Sequence, residues 1–272
     1  APPRDVPTAR PPAPSQEVGF HELQPLLDQA AADVQKGRKP AALATYREVL
    51  KLDPANSEAL SWVEDHLRQK RMYSELRDVL MNASRVSSQA LETRKAQLRD
   101  VAGLCETQLR DLETAIQASR QLVQLDRGDD PAREQLRRLL EKGQRWDELA
   151  TLLEQEAMGV PDVEQKIALE RKLAQLHEQK RKDSGAAAEA WARIATLAPD
   201  DEAAVQTAVK LFEKADQFEQ AAGVLAEAVG GVEDPASRGA LLVKLGELRV
   251  KLGDHNAAGD AYAEAAEALA DG

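Results

Sequence analysis

The apolar residues of this chain follow the period of an α-helix from residue 20 almost to its end. The first buried stripe, with i, i+3, i+4 and i+7 spacing, comprises Leu23, Leu26, Leu27, Ala30, Ala31 and Val34. Gly37 interrupts this stripe, and a second one runs from Leu43 to Leu52. Asp53-Pro54 ends it, because proline lacks an N–H and disfavours helical dihedrals in the preceding residue. The two stripes predict a helix–turn–helix unit of roughly 34 residues.

The same pattern predicts six further helix pairs. They span 56–69 with 73–86, 89–107 with 109–125, 131–142 with 146–157, 163–180 with 185–197, 202–214 with 218–229, and 235–252 with 256–269. Proline or aspartate marks the joins, as at Asp129-Asp130-Pro131 and Asp234-Pro235, where either residue suits a turn or a first helical turn. The predicted fold is all-α, with about fourteen helices in seven antiparallel pairs.

A longer repeat interval overlies the helices. Tyr73, Trp146 and Phe218 open three similar segments, and Leu52, Leu125, Leu197 and Leu269 repeat at spacings of 73, 72 and 72. A fixed interval is the signature of a repeat array. Each interval holds one compact and one longer pair, which indicates duplication of a four-helix block. Because a single pair cannot bury both faces of its apolar stripes, we expect neighbouring pairs to stack.

Residues 37–54 resemble the second half of the tetratricopeptide-repeat (TPR) motif. The motif has a glycine in the turn, a small residue, an aromatic residue, a second small residue and a closing proline. In this chain these positions are occupied, in order, by Gly37, Ala42, Tyr46, Val49 and Pro54. The last repeat matches over its whole length, at Leu242, Leu245, Gly246, Gly253, Ala258, Tyr262 and Ala265, with Arg249 in place of the usual aromatic. The resemblance covers about residues 20 to 270. It implies a right-handed α-solenoid of about seven TPR-like repeats over residues 18–272, in a bacterial multi-TPR protein or a fragment of one.

The side chains of the repeats predict how the helices pack. Small residues that let paired helices approach closely are Ala42, Ala187, Ala221 and Ala258. Large rings expected to fill the spaces between helices, instead of stacking on a ligand, are Tyr46, Tyr73, Trp146, Trp191, Phe218 and Tyr262. Both groups predict thin layers of helices in place of one thick core.

The composition of the chain argues against several classes of function. A net charge of −11 argues against a nucleic-acid partner, which needs a basic surface, and the basic residues of 166–182 alternate with glutamates. No stretch approaches the ~18 apolar residues of a membrane span. Cys105 is the only cysteine among the 272 residues, which excludes an internal disulfide and a cysteine metal cage.

Segment 1–17 differs from the rest of the chain, because it holds six of the 13 prolines. It cannot propagate a helix and has little to bury, so we expect a disordered linker or tail. The chain has no initiator methionine and no signal-peptide pattern, so we expect a processed product or a piece of a longer protein. A cytoplasmic location is predicted, with the bacterial periplasm or envelope as the alternative.

Motifs that carry chemistry are lacking in the sequence. His21, His66, His177 and His255 are scattered without an HExxH pair, and no phosphate-binding glycine loop or GxSxG elbow occurs. Cys105 lies on an apolar stripe, which favours a buried small hydrophobe over a nucleophile. We therefore predict no catalytic residue, no metal site, no cofactor and no enzymatic activity.

The resemblance implies a concave groove lined by the first helix of each pair. Carried over by motif position, the lining is Glu58, Ser61, Asp65, Arg68, Glu134, Arg138, Glu141, Gln206, Lys210 and Glu213, with Val243, Glu247 and Val250. The Lys/Asn/Arg clamp with which some TPR proteins bind acidic chaperone tails is not reproduced at Ser61, Asp65, Gln206 and Lys210.

A groove of mixed sign with an acidic surplus suits a basic or amphipathic segment. The predicted function is thus a protein–protein interaction scaffold or adaptor. The alternatives are a structural spacer that self-associates within a larger protein, and an assembly factor at a bacterial envelope.

Overall fold

The computed structural model describes residues 20–199 and 201–270, which form fourteen α-helices. In chain order these are α1 (Phe20–Gln35), α2 (Lys39–Leu52), α3 (Ser57–Gln69), α4 (Tyr73–Ser84), α5 (Leu91–Leu104), α6 (Leu112–Leu125), α7 (Asp130–Lys142), α8 (Trp146–Gly159), α9 (Val163–Leu176), α10 (Ser184–Leu197), α11 (Glu202–Lys214), α12 (Phe218–Gly231), α13 (Pro235–Lys251) and α14 (His255–Ala270). The proline-rich segment 1–17, predicted as a linker, lies outside the described residues. The described part of the chain confirms the predicted all-α repeat fold.

The chain divides into two compact units between Leu139 and Leu140, within α7. In the first unit each helix from α1 to α6 packs against the next one along the chain. In the second unit the same holds from α8 to α14. Successive helices are thus neighbours in space in both units, which is how stacked helix pairs share their apolar faces.

The predicted small residues lie at the closest helix contacts. Ala42, Ala187 and Ala221 are fully buried and Ala258 nearly so, which confirms their packing role. The rings predicted to pack between helices are buried to different degrees. Of the six, Tyr46 is buried, Tyr73, Trp146, Trp191 and Phe218 are half-buried, and Tyr262 is 40% exposed.

Tyr262 nevertheless packs on its partner helix. A Cβ added to Gly246 of α13 would lie 2.5 Å from Cε1 of the Tyr262 ring. The glycine of this repeat therefore serves close approach of the ring to the helix backbone.

Every helix pair in the described chain turns at one residue in the left-handed region. These residues are Gly37, Arg71, Arg110, Gln144, Lys182, Asp216 and Gly253, with φ between 54° and 77°. The intervals between them are 34, 39, 34, 38, 34 and 37. Compact and longer repeats therefore alternate, as the sequence predicts.

The longer repeats contain a feature that the sequence pattern did not reveal. α5 and α9 each continue into one turn of π-helix, Cys105–Leu109 and His177–Arg181. Beyond the left-handed residue, the backbone N–H of Asp111 donates to the carbonyl of Cys105 at 2.9 Å, and that of Asp183 to the carbonyl of His177 at 3.1 Å. The predicted start of a helix at residue 109 is therefore wrong, because that residue belongs to the π turn.

The π turn accommodates one extra residue. The segment from Leu176 to Asp183 is one residue longer than the equivalent segment from Leu248 to Asp254 in the last repeat. In that last repeat, α13 ends without a π turn. A single added residue is a common origin of such turns. The last member of the series Leu52, Leu125, Leu197 and Leu269 is therefore out of register by one residue. In the structure the residue equivalent to Leu197 is Ala268, and not Leu269. Leu269 is accordingly 53% exposed.

Candidate functional site

The residues predicted to line a groove lie on exposed stripes of the first helices. In the first unit these residues are Glu58, Ser61, Asp65 and Arg68 on α3, and Glu134 and Arg138 on α7. In the second unit they are Glu141 at the end of α7, Gln206, Lys210 and Glu213 on α11, and Val243, Glu247 and Val250 on α13. Spacings of three and four residues place each set on one side of its helix. All of these residues are exposed except Glu213, which is half-buried.

In the first unit, two of these residues join neighbouring first helices. Arg68 of α3 is ion-paired with Asp100 of α5. Arg138 of α7 makes a bidentate pair with Glu106, which follows α5, at 2.5 and 2.6 Å. Bidentate arginine–carboxylate pairs have fixed geometry. Arg68 and Arg138 therefore hold α3, α5 and α7 side by side.

A buried lysine strengthens the same row of helices and was missed by sequence reasoning. Lys95 of α5 is only 6% exposed, and its Nζ donates to Asp126 at 2.7 Å and lies 3.3 Å from Asp129. The hydrogen bond to Asp126 raises the pKa of Lys95, and the same bond lowers the pKa of Asp126. Arg99 also pairs with Asp129. This cluster ties α5 to the connection between α6 and α7.

The second unit has a corresponding set of ion pairs. Arg171 of α9 donates to Asp201, the N-cap of α11, at 3.0 Å. Glu213 of α11 accepts from Lys251 of α13 at 2.8 Å, and Lys244 lies 3.5 Å away. The bond from Lys251 lowers the pKa of Glu213. The first helices α9, α11 and α13 are therefore linked in order, and Glu213 is engaged within the protein.

The exposed side of α13 differs from the predicted stripes of α3, α7 and α11 in carrying large apolar side chains. Val243 and Val250 are 38% and 45% exposed, with Glu247 between them and Ala240 one turn earlier, also exposed. We call Ala240, Val243, Glu247 and Val250 the α13 face. On the stripes of α3, α7 and α11 described above, every residue is polar or charged. The α13 face therefore combines apolar contact area with charge.

Two of the four histidines singled out in the sequence, His66 and His177, are buried. His177 is 2% exposed, and its Nδ1 lies 2.9 Å from the guanidinium of Arg181. Burial, and then the charge of Arg181, lowers the pKa of His177. His66 is buried against Trp62, with ring centroids 4.9 Å apart, and burial lowers its pKa also. Both imidazoles are therefore neutral at pH 7.

Cys105 is fully buried, and burial raises the pKa of its thiol to about 11. Because only the thiolate is a strong nucleophile, this side chain is inert at neutral pH. The side chain of His21 lies outside the described residues, and His255 is exposed. Among the described residues, no three or more His, Cys, Asp or Glu side chains are grouped so that they could hold a metal ion. None of the helices in the described part of the chain is long and apolar enough to cross a bilayer.

These features define the class of the protein: an all-α repeat protein built from stacked helix pairs. The motif positions have the structural roles that the resemblance to tetratricopeptide repeats implies. Gly37 and Gly253 turn the chain with left-handed dihedrals, Ala42 and Ala258 are buried between helices, and Gly246 admits a ring.

No family model and no curated protein matches the chain in sequence. Among solved structures it is similar to YrrB, described as a TPR protein with an unusual peptide-binding site, at 19% identity over 67% of this chain and 89% of that one, with a TM-score of 0.33. A tetratricopeptide repeat protein from Parabacteroides merdae is 16% identical over 91% and 93% of the two chains, with a TM-score of 0.32. The TPR2AB domain of yeast Sti1, in complex with pHSP90, is 14% identical over 91% and 100%, with a TM-score of 0.30.

Proposed function

We propose that this protein is a non-catalytic scaffold that binds a segment of another protein on the exposed side of its first helices. The observation that supports the proposal is the α13 face. Val243 and Val250 expose more than a third of their surface, two helical turns apart on one helix. Apolar anchors at such spacing, set among polar residues, are what a peptide or a partner helix packs against.

The surroundings favour a basic or amphipathic segment as the partner. Glu247 stands between the two valines, and the chain as a whole has a net charge of −11. Opposite charge on the partner speeds encounter and selects against acidic segments. The ion pairs of Glu213 hold α11 and α13 together before binding. A preformed surface reduces the entropy that binding must overcome.

The test is selection of displayed peptides with the full chain as bait, followed by measurement of their affinity for variants. The double variant Val243→Glu, Val250→Glu should bind the selected peptides at least tenfold more weakly. Met158→Glu is the matched control, because Met158 is 82% exposed but lies on α8, a second helix of its pair. Circular dichroism should show the same helix content and melting temperature for all proteins.

Equal binding by the double variant and the control would place the interface elsewhere. If no peptide is enriched and the bait elutes as a dimer or a longer assembly, the self-associating spacer becomes the better account.

A further inference from the structure

A crevice of about 120 Å³ opens between the N-terminal parts of α11 and α13 and the C-terminal end of α12. Its lining includes Glu202, Val205, Gln206, Ala228, Ala240 and Leu241. Apolar groups thus dominate the lining, with an amide and a carboxylate beside them. Binding pockets have this composition: apolar walls and a few polar groups that orient what enters.

The size of the crevice limits what it can hold. A cavity of ~150 Å³ lined by aliphatic side chains accommodates benzene. A space of about 120 Å³ therefore fits one branched aliphatic side chain, of the size of valine, leucine or isoleucine, and is too small for an indole.

The internal repeat shows which residues leave this space open. Val205 and Ala228 occupy the positions that Arg133 and Glu156 hold in the preceding four-helix block. Both earlier residues have long charged side chains, whereas both residues here are short and apolar. The last block therefore differs from the preceding one at these two positions, whereas the first compact repeat has Leu60 and Ala83 there, which are also apolar.

The crevice adjoins the α13 face. Ala240 lines the crevice and is exposed, and Val243 follows it almost one turn later on the same side of α13. A segment lying on Val243 and Val250 can therefore place one side chain in the crevice.

The charges at the opening are acidic. Glu202 lines the crevice, and the exposed Glu233 and Asp234 lie between Val232 and Ser237, which line it too. Arg238, the next residue of α13, pairs with Glu264. Acidic groups at the rim favour basic residues on either side of the inserted side chain.

We infer that this crevice is the specificity pocket of the α13 face, and that it takes one branched aliphatic side chain flanked by lysine or arginine. The inference rests on the proposed function and adds the sequence of the bound segment: basic, aliphatic, basic.

The experiment is methyl NMR of the full chain, titrated to millimolar concentration with three capped pentapeptides. The first has leucine between two pairs of lysines, the second has serine in place of leucine, and the third has glutamates in place of lysines. The first peptide should shift the methyl signals of Val205 and Leu241 with an apparent Kd at least tenfold below those of the other two.

Two leucine substitutions on α13, one that fills the crevice and one that does not, provide a variant and its matched control. Ala240→Leu adds bulk to the crevice from its exposed rim, so it should leave folding intact and weaken the leucine peptide at least tenfold. Ala236→Leu makes the same change one turn earlier on α13, at an exposed residue that does not line the crevice, and should change the affinity less than twofold.

The outcomes separate the inference from the proposed function. If the leucine peptide shifts Val243 and Val250 but not Val205 and Leu241, the pocket assignment is wrong and the binding face remains. If the serine peptide binds as well as the leucine peptide, or Ala240→Leu binds normally, the pocket assignment is likewise wrong. If none of these four residues shifts, the pocket and the face are both contradicted.

Discussion

Five of the seven left-handed turn residues in the described chain carry a side chain, although only glycine adopts this conformation without strain. An L-residue in the left-handed region is destabilised by about 1–2 kcal/mol. Lys182 and Gly253 are the left-handed residues of equivalent turns, which follow α9 and α13. One of the two residues has a side chain and the other has none. They therefore allow a direct comparison.

Gly253→Ala should lower the free energy of unfolding by about 1 kcal/mol, because alanine would be forced to keep φ near 77°. Lys182→Gly should raise it by about 0.5 kcal/mol, since relief of strain exceeds the added entropy of the unfolded chain. Chemical denaturation measures both changes.

Gly259→Ala is the control, because this glycine is helical and a Cβ there meets no atom within 4 Å. It should stabilise the protein by about 0.5–1 kcal/mol. A Gly253→Ala protein as stable as the parent would show that the turn is not held in the left-handed region.

His177 is a buried residue whose titration should be visible in stability. Its folded-state pKa lies below the ordinary value of about 6.5, first because of burial and then because of Arg181. As the pH falls below 6.5, the unfolded chain binds a proton that the folded chain does not, so stability falls. The carboxylates with lowered pKa values, such as Asp111 and Glu213, lose stability only below about pH 4.5.

His177→Cys, which copies the equivalent residue Cys105 of the preceding block, should reduce the loss of unfolding free energy between pH 7.5 and 5.5, because it removes the imidazole whose pKa is lower in the folded chain than in the unfolded one. Denaturation at several pH values measures this. Gly259→Ala, which removes no titratable group, should keep the parent's pH dependence. An unchanged slope in His177→Cys would show that folding does not lower the pKa of His177.

At the scale of helices, the two longer repeats that contain a π turn solve the same packing problem with different residues. Lys95 and Asp126 of the first are replaced, at the equivalent positions of the next block, by Ile167 and Ala198. The arginine–aspartate pair beside them is kept, as Arg99 with Asp129 and as Arg171 with Asp201. The buried lysine and Asp126 therefore act as a unit that an apolar pair can replace.

Lys95→Ile alone should lower the melting temperature by several degrees, because Asp126, which also accepts from the backbone N–H of Gly128, then loses its charged partner. The double variant Lys95→Ile, Asp126→Ala should recover most of that loss, since it recreates the pair found in the other block. Lys51→Ala is the control, because the Lys51–Glu48 pair is exposed and contributes little. Thermal melts of the parent and the three variants test this, and a double variant no more stable than Lys95→Ile would contradict it.

The helices could be predicted from sequence because their signals are local. Apolar residues at helical spacing and stops such as Gly37 and Asp53-Pro54 depend only on neighbouring residues. The π turns could not be predicted in this way. Within Cys105–Leu109 and His177–Arg181 only the second residue, a glutamate, is shared, and each turn accommodates one extra residue between two helices that pack together.

At the scale of the whole chain, the repeat interval predicted the number and order of helices, whereas the candidate site was predicted only in part. Motif position identified side chains that are exposed, such as Asp65, Lys210 and Val243. It did not reveal that Arg68 and Glu213 are engaged in ion pairs between helices, nor that a crevice lies beside Ala240. Those properties depend on contacts between residues that are far apart in the sequence.

The central claim is that the α13 face binds a segment of another protein, and site-specific photo-crosslinking tests it most directly. A photoreactive amino acid is placed at Val243, or at Met158 as the control, and the protein is irradiated in lysate of its source cells. The account predicts an adduct with one partner at Val243, joined through a basic segment with an aliphatic residue, and none at Met158. Equal adducts at the two positions, or none at Val243 beside a specific one at Met158, would contradict it.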